Sequence, residues 1–234
     1  MTIPVVRMHD GVYVVRDDLF PGGTKARFMR TLFDRTDEAV YASPAEGGAQ
    51  TALATVARNL GKRATIVVAA RKDPHPRTRM AARLGARIIS VSPGHLSVVK
   101  ARARAYADGA GAYLIPFGVD MPEAVIAIGD AARSTGINPD EVWCASGSGV
   151  LARALARAWP SARRHVVQVG RTLSPDEVAG ATIHKTRQAF ADASRARVPF
   201  PSDPHYDAKA WEVMTARRGP GRVLFWNVTG PAIA

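Results

Sequence analysis

A lysine follows a pair of glycines near the start of the sequence, in the stretch FPGGTKARFM at residues 20–29. A lysine amine becomes a nucleophile for carbonyl groups when burial or a nearby cation lowers its pKa from about 10.4 towards neutrality. Glycines allow a close backbone approach to a cofactor ring, and a following helix would fix the direction of the side chain. Lys25 is therefore a candidate for covalent catalysis, and the alternative is a solvated lysine at a helix start.

A second candidate site is the small-residue loop in CASGSGVLARAL, residues 144–155, which joins an apolar strand to a helix. Backbone N–H groups at the start of a helix bind phosphate, because they point at the anion and the helix dipole favours negative charge. The alternative is a tight turn that needs glycine only for its shape. We expect a phosphate to bind at the hydroxyls and amides of Ser146, Gly147, Ser148, Gly149 and Val150.

The same loop also fits the looser dinucleotide pattern G-x-G-x-x-A, with Gly147, Gly149 and Ala152 at its fixed positions. The strand after it ends in Arg171, which suits the extra phosphate of NADP better than NAD. The motif follows several βα units, whereas a dinucleotide-binding domain usually begins with it. An NADP-dependent enzyme is therefore the second interpretation of this loop.

Two further loops carry polar side chains where a ligand could bind. In SPAEGGAQTALA, residues 43–54, Glu46 and Gln50 lie at the start of a predicted helix whose N-terminus could hold a carboxylate, or the loop only caps that helix. In RKDPHPRTR, residues 71–79, His75 follows a predicted parallel strand, at the end where ligands bind, or the loop is simply solvated. The histidines show no metal-ligand spacing, so we expect no metal site.

Short apolar strands alternate with helical patterns along the chain, which predicts an α/β fold of parallel sheets with helices on both faces. We predict strands at residues 12–15, 39–42, 65–70, 87–91, 112–117, 141–146, 165–170 and 222–228. We predict helices at residues 25–35, 49–61, 79–85, 96–108, 122–134, 150–159 and 207–216. Loop-like stretches favour a larger, cofactor-binding lobe of residues 1–45 and 120–234 and a smaller βα lobe of residues 46–119.

The composition is that of a globular protein, with 47% hydrophobic residues among 234 and a single cysteine, Cys144. One cysteine excludes an internal disulfide, and neither a signal pattern nor a long apolar run is present, so we expect a cytoplasmic protein. The formal net charge of +12 is high. It favours a nucleic acid or an anionic small molecule as partner, unless it only reflects an arginine-rich coding bias.

These motifs, taken in order over residues 12–170, resemble those of the fold type II pyridoxal-phosphate enzymes, the tryptophan synthase β-like group. The opening VYVVRDDLFPGGTKARFM is most similar to the branch of 1-aminocyclopropane-1-carboxylate deaminase and D-cysteine desulfhydrase. AEGGAQTALATVARNLG resembles the S-G-N-H-G helix entrance of the family, and ARLGARIISV resembles its A-x-x-L-G-A-x-V-x-x-V unit. CASGSGVLARAL is similar to the glycine-rich cup that binds the cofactor phosphate.

The resemblance implies pyridoxal 5'-phosphate as cofactor, a fold type II architecture with a reduced small lobe, and a homodimer. Lys25 would hold the cofactor and move the α-proton of the substrate, and Thr229 would be the hydroxyl near the pyridine nitrogen. The asparagine that contacts the cofactor ring oxygen in the family would fall near Gly47 or Gly48, so Glu46 or Gln50 would have to replace it. The predicted substrate-binding residues are Glu46, Gly47, Gly48, Gln50 and His75.

The resemblance also implies a reaction class, namely elimination, deamination or decarboxylation of an amino-acid-like amine by a lyase- or deaminase-like enzyme. Some bacteriophages encode relatives of this family beside genes that attach amino acids to thymine in DNA. Because the chain is short and strongly basic, an amino-acyl-modified thymine in DNA is one possible substrate. A non-catalytic descendant of the fold that binds nucleic acid or a protein partner is an alternative, and the NADP-dependent enzyme is another.

Overall fold

The computed structural model describes residues 2–92 and 94–232. In order along the chain, the strands and helices are β1 (Val6–His9), β2 (Val12–Arg16), α1 (Ala26–Leu32), β3 (Glu38–Ala42), α2 (Ala49–Leu60), β4 (Arg63–Ala69), α3 (Pro76–Arg83), β5 (Arg87–Val91), α4 (Leu96–Ala110), β6 (Tyr113–Ile115), α5 (Pro122–Ser134), β7 (Glu141–Ser146), α6 (Val150–Ala158), β8 (Arg163–Gln168), β9 (Thr182–Lys185), α7 (Asp207–Arg217) and β10 (Val223–Asn227). Single 3-10 turns lie at Asp17–Leu19, Phe117–Val119 and Asp176–Val178. The predicted α/β fold with parallel sheets is confirmed.

The described residues form two compact units, a larger one of residues 2–27 and 120–231 and a smaller one made mainly of residues 28–119. The sequence prediction placed residues 28–45 in the larger lobe, whereas the structure places them in the smaller unit. The reason is β3, which pairs with β4 on one side and β6 on the other and is therefore an inner strand of the smaller sheet.

The larger unit is built on a six-stranded sheet in the order β1-β2-β10-β7-β8-β9. Its strands are parallel except for β1, which runs antiparallel to β2. On one face of this sheet, Trp143 and Phe225 pack against Trp211 and Met214 of α7 in one apolar core. The carboxyl ends of β2, β10, β7 and β8 therefore lie along one edge of the sheet, where parallel α/β folds bind ligands.

The smaller unit is built on a four-stranded parallel sheet in the order β5-β4-β3-β6. Val40 and Val67 of this sheet pack against Val99 and Ala103 of α4. Helix α2 ends at Gly61, which adopts the left-handed conformation (φ 65°) and donates its backbone N–H to the last turn. This is the glycine stop that the sequence predicts, because only glycine adopts that conformation without a steric cost.

Two strands at the edges of the larger sheet were not predicted from the sequence. β1 has four residues with an intermediate-exposed-exposed-intermediate pattern, and β9 has four residues without a buried one. A strand that buries little surface carries no apolar periodicity, so its sequence looks like a loop. No helix in the described parts of the chain is long and apolar enough to cross a membrane.

A pair of histidines on the outer strands of the larger sheet packs against a buried tryptophan. Nδ1 of His165 lies 3.1 Å from Nε2 of His184, so that one ring donates a hydrogen bond to the other. Both rings stack on Trp143, with ring centroids 4.3 Å and 4.7 Å away. Burial lowers the pKa of His165, with Arg163 acting in the same direction and Glu141 against it. Burial also lowers the pKa of His184, and the charges of His165 and Arg217 lower it further.

We therefore expect acid to destabilise the protein through this pair. A histidine whose pKa is lowered by folding binds fewer protons in the folded state than in the unfolded state. The free energy of unfolding then falls as the pH drops below about 6.5, the ordinary histidine pKa. Urea unfolding at a series of pH values should show this slope, and His165→Gln with His184→Gln should reduce it. The same change at the exposed His95 should leave it intact, and an equal effect there would contradict the assignment.

Candidate active site

Three of the predicted site segments lie at one edge of the larger sheet. Lys25 follows β2 by way of the first 3-10 turn, the loop at residues 146–149 follows β7, and Thr229 follows β10. These three strands are adjacent and parallel, so that their carboxyl ends lie side by side. The structure therefore brings together Lys25, the glycine-rich loop and the segment that carries Thr229.

Gly23, the second glycine of the pair before Lys25, is needed for a close approach of two backbone segments. Gly23 has a positive φ of 71°, and a Cβ at this position would lie 2.6 Å from the carbonyl oxygen of Val228. The next residue, Thr24, donates its backbone N–H to the same carbonyl at 3.0 Å. Any side chain at position 23 would break this contact, so the glycine fixes the segment of Lys25 to the end of β10.

A fully buried carboxylate, Asp17, holds the residues on both sides of Lys25. Arg27 binds it with two nitrogens, Nε to Oδ2 at 2.9 Å and Nη2 to Oδ1 at 2.5 Å, and both side chains are almost completely shielded from solvent. The Thr24 hydroxyl donates to Oδ2 of the same carboxylate at 2.7 Å and accepts a bond from Nε1 of Trp226 at 2.9 Å. Residues 24 and 27 are thus tied to one buried charge, and this orients the first turn of α1.

A second buried carboxyl group, that of Asp207, lies close enough to Lys25 for their charges to interact. Its Oδ2 accepts the backbone N–H groups of Val228 and Thr229 at 3.1 Å and 3.3 Å. Its Oδ1 is buried and has no hydrogen-bond partner among the described residues. Burial raises the pKa of Asp207 well above its usual range, the charge of Asp203 adds to the rise, and Lys25 acts against it.

The glycine-rich loop has the strand-loop-helix form that its sequence predicts, but it uses part of its polar groups internally. The Ser146 hydroxyl accepts the backbone N–H of Gly149 at 2.9 Å, so this side chain closes the turn. The Gly147 backbone hydrogen-bonds the hydroxyl of Tyr206. Burial raises the pKa of this tyrosine, and the charge of Asp207 raises it further. The tyrosine is therefore a neutral side chain that covers one side of the loop.

Gly149 explains why this turn needs glycine. Its φ is 82°, and a Cβ at this position would lie 1.9 Å from the carbonyl oxygen of Glu177. Glu177 in turn pairs with Arg171, whose Nη1 lies 3.1 Å from Oε2. The arginine that the NADP interpretation requires is thus held in a solvent-exposed ion pair with this glutamate.

The other predicted residues lie in the smaller unit, at the carboxyl ends of β3 and β4. Gln50 is fully buried, and its amide nitrogen donates to the carbonyls of Pro44 and Ala45 at 3.0 Å and 2.8 Å. Its amide oxygen accepts the hydroxyl of Thr78 at 2.9 Å. This glutamine holds the loop before α2 in place. A Cβ at Gly47 would lie 2.6 Å from Oγ of Ser43, so the loop is tightly wound there.

Glu46 and His75 border this region of the smaller unit. Oε1 of Glu46 lies 3.4 Å from Nη2 of Arg71. Nδ1 of His75 accepts the backbone N–H of Arg77 at 3.2 Å and so caps α3. His75 and Arg71 also line a cavity of about 200 Å³. Gly48 is the residue before α2 and contributes no side chain.

Asp207 and Tyr206 are the residues of the larger-unit site that the sequence analysis missed. The predicted helix near residues 207–216 is correct, but an aspartate in the first turn of a helix is usually explained by the helix dipole alone. Only the fold shows that this carboxyl group lies behind the end of β10 and near Lys25. Two residue types offered a weak signal, namely a phenolic side chain directly before α7 and an acidic one at its first residue.

The buried ion pair that orients Lys25 makes a testable contribution to stability. Asp17→Asn removes the carboxylate and leaves the Arg27 charge buried without compensation, so the free energy of unfolding should fall by about 3–5 kcal/mol. Chemical denaturation measures this change. The control is Asp37→Asn, which breaks a solvent-exposed pair with Lys62 and should barely shift the unfolding midpoint. Equal shifts for the two variants would contradict the role given to the buried pair.

Comparisons with known proteins agree with this geometry. The family described as pyridoxal-phosphate dependent enzyme matches residues 4–220. The solved structure of an ACC deaminase homologue is similar, with a TM-score of 0.81 and 18% identity over 94% of this chain and 84% of that chain. A threonine deaminase from T.th. has a TM-score of 0.73 and 18% identity, over 98% of this chain and 92% of that one.

Maize serine racemase is similar as well, with a TM-score of 0.75 and 14% identity over 99% of this chain and 88% of that chain. No curated protein sequence matches the chain significantly. At these identities the similar structures show the fold, whereas the family match covers most of the sequence. The chain belongs to the family of pyridoxal-phosphate dependent enzymes.

Proposed function

We propose that this protein is a pyridoxal-phosphate dependent enzyme that acts on an amino-acid-like amine, with Lys25 as the lysine that binds the cofactor. The observation that carries the proposal is the Asp207 carboxyl group. It is buried near Lys25, and one of its oxygens has no hydrogen-bond partner among the described residues. Both lie at the sheet edge that also carries the glycine-rich loop.

The residues at this edge fit the cofactor chemically. Pyridoxal phosphate has an aldehyde, a pyridine nitrogen and a phosphate, which call for an amine, a proton-sharing group and an anion site. Lys25 supplies the amine. The buried Oδ1 of Asp207 suits the ring nitrogen, because a buried polar atom without a hydrogen bond costs free energy until it binds a partner. The N-terminus of α6, with the amides of Ser148 and Val150, supplies the anion site.

The chain's own groups can then be given roles in the reaction. When bound, the cofactor serves as an electron sink for the substrate carbon next to the amine. Lys25 holds the cofactor and afterwards carries a proton on Nζ to or from that carbon. The bonds of Thr24 and Arg27 to Asp17 keep its backbone fixed meanwhile.

We further propose that Asp207, rather than Thr229, shares a proton with the pyridine nitrogen. Asp207 is already held by two backbone N–H groups through Oδ2, so that Oδ1 has a fixed position. Burial raises the pKa of the Asp207 carboxyl group, and a basic or cationic partner beside Oδ1 would lower it again. Thr229 contributes its backbone N–H to this arrangement.

The finer points of function stay proposals. Deaminases, an ammonia-lyase and racemases are among the similar structures, so elimination and deamination are the reactions that we favour. A free amino acid is the substrate class closest to theirs. The amino-acyl base in DNA rests on the net charge of +12 and the shortness of the chain. The substrate-binding role of Glu46, Gly47, Gly48, Gln50 and His75, and the homodimer, stay predictions from the sequence.

Cofactor binding at Lys25 can be tested by absorption spectroscopy. The purified protein with added pyridoxal phosphate should show a visible band that borohydride abolishes, and mass spectrometry of the reduced protein should find the cofactor on Lys25. Lys25→Ala should lose the band. The exposed Lys100 is a matched control, since Lys100→Ala should retain it. A wild-type protein that takes up no cofactor would overturn the proposed function.

The role of Asp207 can be separated from that of Thr229. Asp207→Asn keeps an oxygen for the two backbone N–H groups but removes the ionisable proton. Because a charge-assisted hydrogen bond contributes about 1.5–3 kcal/mol, the dissociation constant of the cofactor should rise roughly 10- to 100-fold. Fluorescence titration measures this value, and the pH dependence of the visible band should change as well. Thr229→Val should have little effect, and a larger effect there would return the role to the threonine.

A further inference from the structure

A second lysine of the larger unit, Lys209, is buried without a role in the proposed reaction. It lies in the first turn of α7, and its side chain is only 1% exposed. Its Nζ donates to the carbonyl oxygens of Ala189 at 2.7 Å and Phe190 at 3.2 Å. An ammonium group has three N–H bonds, so these two carbonyls leave one for another acceptor among its surroundings.

The charge of this lysine is not fully balanced by the acceptors that it contacts. Both carbonyls are neutral, and burial lowers the pKa of Lys209, while the charges of Asp192 and Asp203 act in the opposite direction. A buried cation that keeps its charge requires a counter-charge or further hydrogen bonds, because desolvation otherwise costs several kcal/mol. Asp192 and Asp203 supply part of this counter-charge from a distance, and an anion in direct contact with Nζ would add to it.

A cavity of about 170 Å³ lies directly against this lysine. It is bordered by Gln168 and Gly170 at the carboxyl end of β8, by Lys185 at the end of β9, and by Ala189 and Phe190 of the following loop. It thus lies on the same sheet edge as the glycine-rich loop, but none of its lining residues belongs to the proposed cofactor site.

The lining of the cavity is mostly polar and combines two cationic groups with one aromatic ring. Lys209 is a buried cation, and Lys185 is a second, exposed one at the rim. Gln168, Thr186 and Gln188 add further polar groups, and Phe190 supplies apolar surface. An organic acid can place its carboxylate on the ammonium groups and its hydrocarbon part on the ring of Phe190.

We propose that this cavity is a binding site for a small organic carboxylate, with Lys209 as its central cation and Lys185 as the second. A volume of about 170 Å³ is roughly that of six water molecules, which take about 30 Å³ each in the liquid. It accommodates an acid of a few carbon atoms, and a dicarboxylate can reach both lysines. The inference does not depend on the proposed function, because it concerns a separate set of residues.

Succinate is a suitable probe, and its uncharged analogue succinamide is the control ligand. Hydrogen-exchange mass spectrometry of the full chain, at constant ionic strength, should show saturable protection of residues 185–190 by succinate and none by succinamide. Lys209→Met should raise the dissociation constant at least about tenfold, as expected for the loss of a charge-assisted hydrogen bond. Lys185→Gln should raise it up to about fivefold, because that side chain is exposed. Lys100→Gln, an exposed lysine of the smaller unit, should have no effect.

Several results would overturn the site. These are the absence of saturable protection, equal protection by succinamide, protection in another segment, or undiminished binding to a folded Lys209→Met variant. Stronger protection by inorganic phosphate than by succinate would overturn the carboxylate assignment. If Lys209→Met does not fold, the wild-type comparison of the two ligands and the Lys185→Gln titration still decide the question.

Discussion

The buried charge of Asp17 is the constraint around which the catalytic segment is built. A carboxylate without solvent is costly unless ion pairing and hydrogen bonding compensate it. Here Arg27 supplies the paired charge with two bonds, and the Thr24 hydroxyl supplies a further one. Since these partners flank position 25 on both sides, satisfying the buried charge also fixes the backbone of Lys25. The stability of this region and the geometry of the site therefore have the same physical origin.

Asp207 shows the opposite balance within the same unit. One of its oxygens is bonded to two backbone N–H groups after β10, but the other is buried without a hydrogen-bond partner among the described residues. Such a group lowers stability, because desolvation is not compensated by a bond. Functional sites are where proteins retain unsatisfied groups of this kind, since a ligand can then satisfy them. The contrast between the two aspartates distinguishes a structural role from a binding role more clearly than sequence can.

The sequence predicted the regular parts of the fold because these carry strong local signals. The apolar strands at residues 65–70 and 141–146 and the glycine that ends α2 are where they were expected. It did not reveal β1 and β9, which lie at the sheet edges and bury little. The sequence did not reveal the role of Asp207 either. The environment of this carboxyl group is created by α7 and the end of β10 together, and no local sequence pattern indicates that one of its oxygens is buried. The sequence led us to expect that the glycines before Lys25 let the backbone approach a cofactor ring. In the structure, Gly23 allows the close contact with the carbonyl of Val228.

The loop before α2 lacks the asparagine expected from the resemblance, and the polar side chain nearest to its place is bonded within the smaller unit. Gln50 cannot replace that side chain without leaving its present bonds, because both ends of its amide are used inside the unit. Gly48 begins the helix without a side-chain cap. The first amides of α2 are therefore not covered by a capping side chain, and the helix dipole favours a negative group there. The backbone N–H of Gln50 is already donated to the carbonyl of Gly47 at 3.3 Å, so the loop uses part of its backbone polar groups for its own shape. A carboxylate held here would have to use the remaining N–H groups at the start of α2, a role that needs no asparagine side chain.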